Sequence, residues 1–307
     1  MGTEIQMAGA LHAVSGTRSR SAIRLSAEVS AECLAEARIP LNGIQQLIYS
    51  GIYRDHHIGE PSIASLVHGS IGDFLPLSTP LPGNDHPDFF CFDISNGGCG
   101  WLQGIQLADA FIRQGRISRS MVVAGDAPAS NSEKRMFPFT PAASAILLGE
   151  ASGDCGFKKF HSRTYPDFQT DFTTQLLWTS PPGRNRNSHV FSVSMAGEFI
   201  SHCVEAAEHA LKEFFQLTAT TAETFDLYVT TMSPCGFSGI LGDKTGVIDR
   251  FILPDTDWGQ IHTAGPGFGL RKAWINGSFK KSGNILFLAV GSGLTVTIAW
   301  YQKERNK

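Results

Sequence analysis

Five residues, Asn96-Gly97-Gly98-Cys99-Gly100, stand where this sequence is best arranged for chemistry. They follow an apolar run from Phe89 to Ser95 and precede a helical pattern from Trp101 to Arg113, closed by Gly115. A strand, a glycine-rich turn and a helix make a nucleophile elbow. The turn holds one residue at the helix N-terminus, where exposed N–H groups and the macrodipole lower a thiol pKa. Cys99 is the thiol in that turn. Glu60, in Gly59-Glu60-Pro61-Ser62, is a carboxylate ahead of another helix, placed to act as a base or simply to face the helix dipole. His262 is an imidazole close to Gln260, just before a second glycine-rich turn at Gly265-Pro266-Gly267. His56 and His57 are adjacent, beside Arg54 and Asp55. Sequence neighbours seldom converge on one ion, so no metal is expected there.

The elements that must hold these groups follow from apolar spacing. Met7–Val14 reads as a strand, and Ser21–Ala37 as a helix with Val29, Cys33, Leu34 and Ala37 on one face, ended by Pro40. Leu47–Ser50 is a short strand, and Pro61 opens a helix running to Ser70. Phe89–Ser95, Ser120–Gly125 and Ala143–Leu148 have the composition of buried strands. Residues 156–192 are polar and contain Pro181-Pro182-Gly183, which predicts a connection. A helix near Ser194, with Ile200, Cys203, Val204, Ala207 and Leu211 on one face, then leads to a strand at Asp226–Thr231. Gly265–Lys280 reads as a helix, and Ile285–Val290 and Leu294–Trp300 as strands.

The order repeats. In each half a helix leads to a short strand, then to a glycine-rich turn, a helix, a closing glycine and a strand. Gly98 to Gly125 spans 27 positions and Gly265 to Gly291 spans 26. Such a repeat predicts two similar α/β halves, residues 1–155 and 193–307, joined by 156–192.

Composition excludes several classes. The chain has 307 residues, 42% of them hydrophobic and 17% charged, so it is not disordered. At about 150 residues per domain the length suits two lobes. A net charge of -3 lacks the basic excess of a general nucleic-acid binder. The six cysteines include no CxxC pair, which argues against zinc ribbons and disulfide scaffolds and fits free thiols in a cytoplasmic setting. The N-terminus lacks a basic start followed by an apolar segment, and Gln6 breaks the Gly2 myristoylation pattern. No apolar run reaches membrane-span length; Ile285–Gly293 is strand-sized.

The segment Phe92-Asp93-Ile94-Ser95-Asn96-Gly97-Gly98-Cys99-Gly100-Trp101 resembles the nucleophile segment of the ketoacyl-ACP synthase III branch of the thiolase superfamily. Asp93, Gly100, Trp101, Ala108, Asp109 and Gly115 match its pattern without a gap. Ala289-Val290-Gly291-Ser292-Gly293-Leu294-Thr295 looks like its closing loop. The resemblance implies a layered αβαβα fold of two pseudo-symmetric halves and an acyl-CoA or acyl carrier protein phosphopantetheine thioester as substrate, with no further cofactor. It implies a dimer, and acyl-chain condensation of fatty-acid or polyketide type.

That family works with a Cys-His-Asn triad. Here the three positions fall on Gly98, Thr231 and Gln260. Glycine is no nucleophile, and threonine does not replace imidazole as a base near pH 7. Cys99 lies one residue further on, which turns its side chain by about 100° on a helix. His262 is near enough to Gln260 to stand in for the imidazole. Glu60 occupies the place where a related Claisen-condensing branch carries a glutamate that works in the neighbouring subunit's site. Three readings stay open. The chain is a degenerate subunit that completes an active homologue. Alternatively it is an acyltransferase rebuilt around Cys99, with His262 and Glu60. Alternatively it is a non-enzymatic module binding an acyl chain or a carrier protein. Two basic stretches, Ser15–Ser21 and Arg184 with Arg186, either grip phosphopantetheine or a carrier protein or are solvated loops.

Overall fold

Burial alternates along the first strand, β1 (Gly2–His12): Thr3, Ile5 and Met7 point inward while Glu4 and Gln6 do not. This pattern starts the strand five residues ahead of the predicted Met7. The computed structural model describes residues 2–13, 21–75, 88–130, 133–151, 153–178 and 189–303. The basic stretch at 15–20, and Arg184 and Arg186, lie outside the described residues.

Ser21 caps α1 (Ala22–Ala37), accepting from the Arg24 N–H at 3.1 Å. The helix ends in a left-handed Arg38, φ 57°, whose N–H returns to Ala35. It therefore stops ahead of Pro40 rather than because of it. After β2 (Gln46–Tyr49) comes α2 (Ile63–Ile71), capped by Ser62. Pro61 lies outside the helix, which corrects its expected place in the first turn. Next are β3 (Phe90–Asp93), α3 (Cys99–Arg113), β4 (Arg119–Asp126) and β5 (Ala142–Ala151).

The predicted connection at 156–192 carries structure. It holds β6 (Gly156–Thr164), which belongs to the second sheet, β7 (Phe172–Trp178) and the start of β8 (His189–Met195), a hairpin with β7. The next helix, α4 (Phe199–Thr218), starts later than Ser194 because β8 occupies that residue. Then follow β9 (Leu227–Thr230), α5 (Phe237–Thr245), α6 (Gly265–Ile275), α7 (Ser278–Lys281), β10 (Asn284–Gly291) and β11 (Thr295–Gln302). The single helix expected over 265–280 is broken by Gly277, whose φ of +80° leaves the helical region.

The first sheet has the order β1-β5-β4-β2-β3, with β2 parallel to β3 and β4 and with β5 antiparallel to β4 and β1. The second runs β6-β11-β10-β9, with β9 parallel to β10. The orders coincide when β6 replaces β1, β11 replaces β5, β10 replaces β4 and β9 replaces β2. Phe251, in a lone parallel bridge to Tyr228, marks the place of β3. The internal repeat is thus a structural one.

Three apolar clusters stack the layers. Leu25, Leu34, Val67, Val123 and Leu147 join α1 and α2 to the outer face of the first sheet. Trp101, Ile105, Ile146, Phe268 and Phe287 place α3 and α6 between the sheets. Phe214, Leu241, Leu286 and Ile298 join α4 and α5 to the outer face of the second. The fold is the layered αβαβα arrangement of two pseudo-symmetric halves. One strand departs from expectation: β3 has a buried composition yet forms the open edge of its sheet, with Phe90 37% exposed. Composition reports apolar side chains, and sheet order decides which of them a neighbour covers.

Candidate active site

β3 and α3 build the elbow, and Asp93 anchors it. Its carboxylate accepts the N–H groups of Ile63 and Ala64, both at 2.9 Å, and pairs with Arg54 at 3.2 Å. The end of β3 is thereby locked to the start of α2. Gly97 then takes a left-handed turn, φ +48°, and Gly98 opens α3.

The two glycine-rich loops meet backbone to backbone. A β-carbon on Gly291 would lie 2.6 Å from the Asn96 carbonyl oxygen. A β-carbon on Gly98 would lie 2.6 Å from the Val290 carbonyl oxygen and 3.1 Å from Thr231 Oγ1. Positions 98 and 231 thus face each other across the two halves, and no side chain fits at 98 without moving backbone. Thr231 is 1% exposed; its N–H donates to Leu288 and its hydroxyl to the Ser233 carbonyl at 3.2 Å.

A small cavity of about 110 Å³ lies beside this contact. Ser233, Gln260, His262 and Ser292 supply its polar lining, and Phe139, Phe172 and Phe199 are among its apolar walls. The His262 ring stacks on Phe139 with centroids 4.4 Å apart and 7° between planes, and meets Tyr53 at 5.4 Å. Burial pushes the His262 imidazole below its usual value near 6.5, while the Asp126 carboxylate pulls it up. Gln260 is exposed and tied through its carbonyl to the Thr140 N–H at 2.8 Å.

Cys99 points elsewhere. It is fully buried, and its sulfur lies 3.1 Å from the Thr295 carbonyl and 3.3 Å from that of Ala289. Burial pushes the thiol up to about 12, overcoming the helix N-terminus and the hydrogen bonds that favour thiolate. The turn alone predicts a lowered value; desolvation wins. Glu60 is exposed, ahead of α2 and outside the cavity lining. Because Asp93 holds the start of α2, Glu60 sits near the end of the open edge strand. His57 pairs with Glu133 at 2.7 Å, and His56 is exposed. Among the described residues no group of three or more His, Cys, Asp or Glu could hold a metal.

Asp126 was missed by sequence reasoning. It is 2% exposed and accepts four hydrogen bonds: from the Ile52 and Tyr53 N–H groups at 2.8 and 2.9 Å, and from the Thr263 N–H and hydroxyl at 3.0 and 2.5 Å. It fastens the loop carrying His262 to the end of β4. An acid closing the apolar run Met121–Gly125 was its signal, since a buried carboxylate needs several donors. Of the other motif positions, Asp109 is a core acid beside Arg113 at 3.7 Å, raised by burial.

Comparisons with known proteins agree with the fold. Residues 92–166 match the family of 3-oxoacyl-[acyl-carrier-protein] synthase III. The beta-ketoacyl-[acyl-carrier-protein] synthase III of Rickettsia akari is 20% identical over 277 residues, covering 88% of this chain and 81% of its own. That of Clostridium perfringens is 21% identical over 278 residues with the same coverage. The solved 3-oxoacyl-[acyl-carrier-protein] synthase III of Aquifex aeolicus superposes with a TM-score of 0.77 at 16% identity, over 98% of this chain and 100% of that one. OleA of Xanthomonas campestris gives 0.77 at 16% identity over 99% of each chain. The chain thus has the fold of these synthases, and its elbow segment and its relatives make it similar to the ketoacyl-ACP synthase III branch of the thiolase superfamily.

Proposed function

We propose that the chain is the non-acylating subunit of a cytoplasmic acyl-condensing dimer whose other subunit is a homologue with an intact Cys-His-Asn triad. The observation that carries this reading is the 2.6 Å approach of a β-carbon at Gly98 to the Val290 carbonyl. The nucleophile position is not merely substituted; it has no room for a side chain. The burial of Cys99 and the rise of its thiol to about 12 speak for this reading over a site rebuilt around that cysteine. The cavity beside Thr231 is too small for a long acyl chain. At about 110 Å³ it is smaller than the ~150 Å³ apolar cavity that takes up benzene.

In this reading the homologue's cysteine receives the acyl group from an acyl-CoA or an acyl carrier protein thioester, and no other cofactor is required. The open edge of β3, with exposed Phe90 packed against Phe111 at 5.4 Å, is the surface along which the subunits pair. Glu60, near the end of that edge, takes a proton from the α-carbon of the second thioester in the homologue's site. The thioester carbonyl makes that proton acidic. His262 serves as a neutral wall of the cavity. The resulting carbanion forms a carbon–carbon bond to the acyl carbonyl held on the homologue's cysteine, the carbonyl–sulfur bond breaks, and the cysteine leaves as thiolate and regains a proton, giving a condensed acyl thioester of fatty-acid or polyketide type.

Intact-protein mass spectrometry tests the first half. The purified chain, mixed with acyl-CoA and acyl carrier protein thioesters, is expected to gain no acyl mass. An adduct that disappears in Cys99→Ala would overturn the reading. Co-expression with an intact-triad homologue tests the second half. A 1:1 complex is expected in which Glu60→Gln lowers condensation by about 10²-fold or more without changing assembly.

A further inference from the structure

A pocket of about 460 Å³ opens between the end of β1 and the C-terminal half of α6. It shares no lining residue with the cavity beside Thr231. Its volume falls within the roughly 300–1,000 Å³ of small-molecule sites, which combine apolar walls with a few polar groups. Both parts are present. Leu11, Phe268 and Trp258 form the apolar wall, with the two rings edge-on at 5.2 Å, and His12 meets Phe268 at 6.2 Å. Arg271 and Lys272 form a cationic rim, with Asp255 and His12 beside them.

The rim has donors to spare. Lys272 Nζ donates to the Leu253 carbonyl at 2.9 Å and to Asp255 at 2.5 Å, and lies 5.6 Å from the centre of the Trp258 ring. An ammonium carries three donors, so one remains. Arg271 donates to the Ala8 carbonyl at 3.1 Å and grips Glu36 through two nitrogens at 3.0 and 2.9 Å. A guanidinium carries five donors, so two remain. Asp255 and Glu36 hold the two cations in place, and a ligand's oxygens would complete them.

We propose that this pocket binds a small organic anion. Its carboxylate or phosphate is held by Lys272 and Arg271, and its aryl or short alkyl body lies against Trp258 and Phe268. At about 30 Å³ per water-sized group the space suits roughly 15 non-hydrogen atoms. Two cations already fixed by ion pairs offer oriented donors with little ordering cost, and the aromatic wall rejects a bare inorganic ion. The proposal is independent of the one made for the condensing site.

Calorimetric titration of the full chain with naphthylacetate, naphthyl phosphate and the neutral naphthylmethanol tests it. One anion per chain is expected, with the alcohol at least about tenfold weaker. Whichever anion binds tighter identifies the head group. Lys272→Glu, half-exposed and away from the core, is expected to weaken the anions about tenfold or more; Lys272→Met carries the same expectation should Lys272→Glu unfold. Anion binding is also expected to change tryptophan fluorescence in the native chain and not in Trp258→Phe. Unchanged anion affinity in the Lys272 variants, equal affinity for the alcohol, or no binding of either anion would overturn the proposal.

Discussion

Thr231 Oγ1 stands 3.1 Å from where a β-carbon on Gly98 would lie, so two positions 133 residues apart in sequence meet at one point between the halves. The Val290 carbonyl, 2.6 Å from the same β-carbon, closes that point.

Even the smallest side chain at position 98 therefore forces backbone apart. Gly98→Ala is expected to destabilise the chain by about 1–3 kcal/mol, the usual cost of overpacking, read as a lower denaturant midpoint. Gly98→Cys should be at least as costly and should not restore acylation. A Gly98→Cys chain of native stability that forms a thioester would refute the closed-site account.

Three buried thiols make the fold sensitive to alkali. Cys33, Cys99 and Cys203 are each pushed from 9.0 up to about 12, first by burial. Between those values the unfolded chain has lost protons that the folded chain keeps. Stability is therefore unaffected below about pH 9 and falls as pH rises above it, by up to roughly 1.4 kcal/mol per pH unit for each thiol. Urea midpoints measured from pH 7 to 11 should show the fall, and Cys203→Ala should reduce its slope. Alkylation at pH 8 should mark exposed Cys235 and spare Cys99.

His262 gives the opposite dependence. Its folded pKa lies below the ordinary 6.5 because of burial, so below pH 6.5 the unfolded chain binds the proton more readily. Stability is expected to fall as pH drops from 6.5 toward 5. His262→Phe, which keeps the stack on Phe139, should stay within about 1 kcal/mol of the native chain at pH 7 and lose part of that acid sensitivity. An identical pH profile in both proteins would contradict the buried, neutral imidazole.

Asp126→Ala should be severe. It strands the N–H groups of Ile52, Tyr53 and Thr263, and buried unsatisfied donors cost about 1–3 kcal/mol each, so a loss of at least about 3 kcal/mol is expected. Asp126→Asn keeps one acceptor oxygen and should lose about half as much. Chemical denaturation of the pair measures both; a loss under about 1 kcal/mol for the alanine variant would show that the carboxylate does not hold this loop.

Local patterns in the sequence were enough for α1, for the glycine-rich turns and for the repeat, because caps, apolar spacing and tight turns depend on neighbours within a few residues. They also brought Gly98, Thr231 and Gln260 into one argument through a motif. The edge position of β3 was not legible, since Phe90 and Phe92 look the same whether or not another strand lies beside them. Nor was β6, whose partner β11 begins well over a hundred residues later.

Cys99 separates the two kinds of information most clearly. Residue order is enough to place a thiol after a glycine turn at a helix start, where a dipole favours thiolate. It is the packing of the two halves that buries the sulfur completely against β10 and β11 and turns its pKa upward. Desolvation depends on what surrounds a group in three dimensions, and here it outweighs the local field of the helix. Residue identity specifies the parts of the elbow, and packing between the halves leaves no room for a side chain at Gly98.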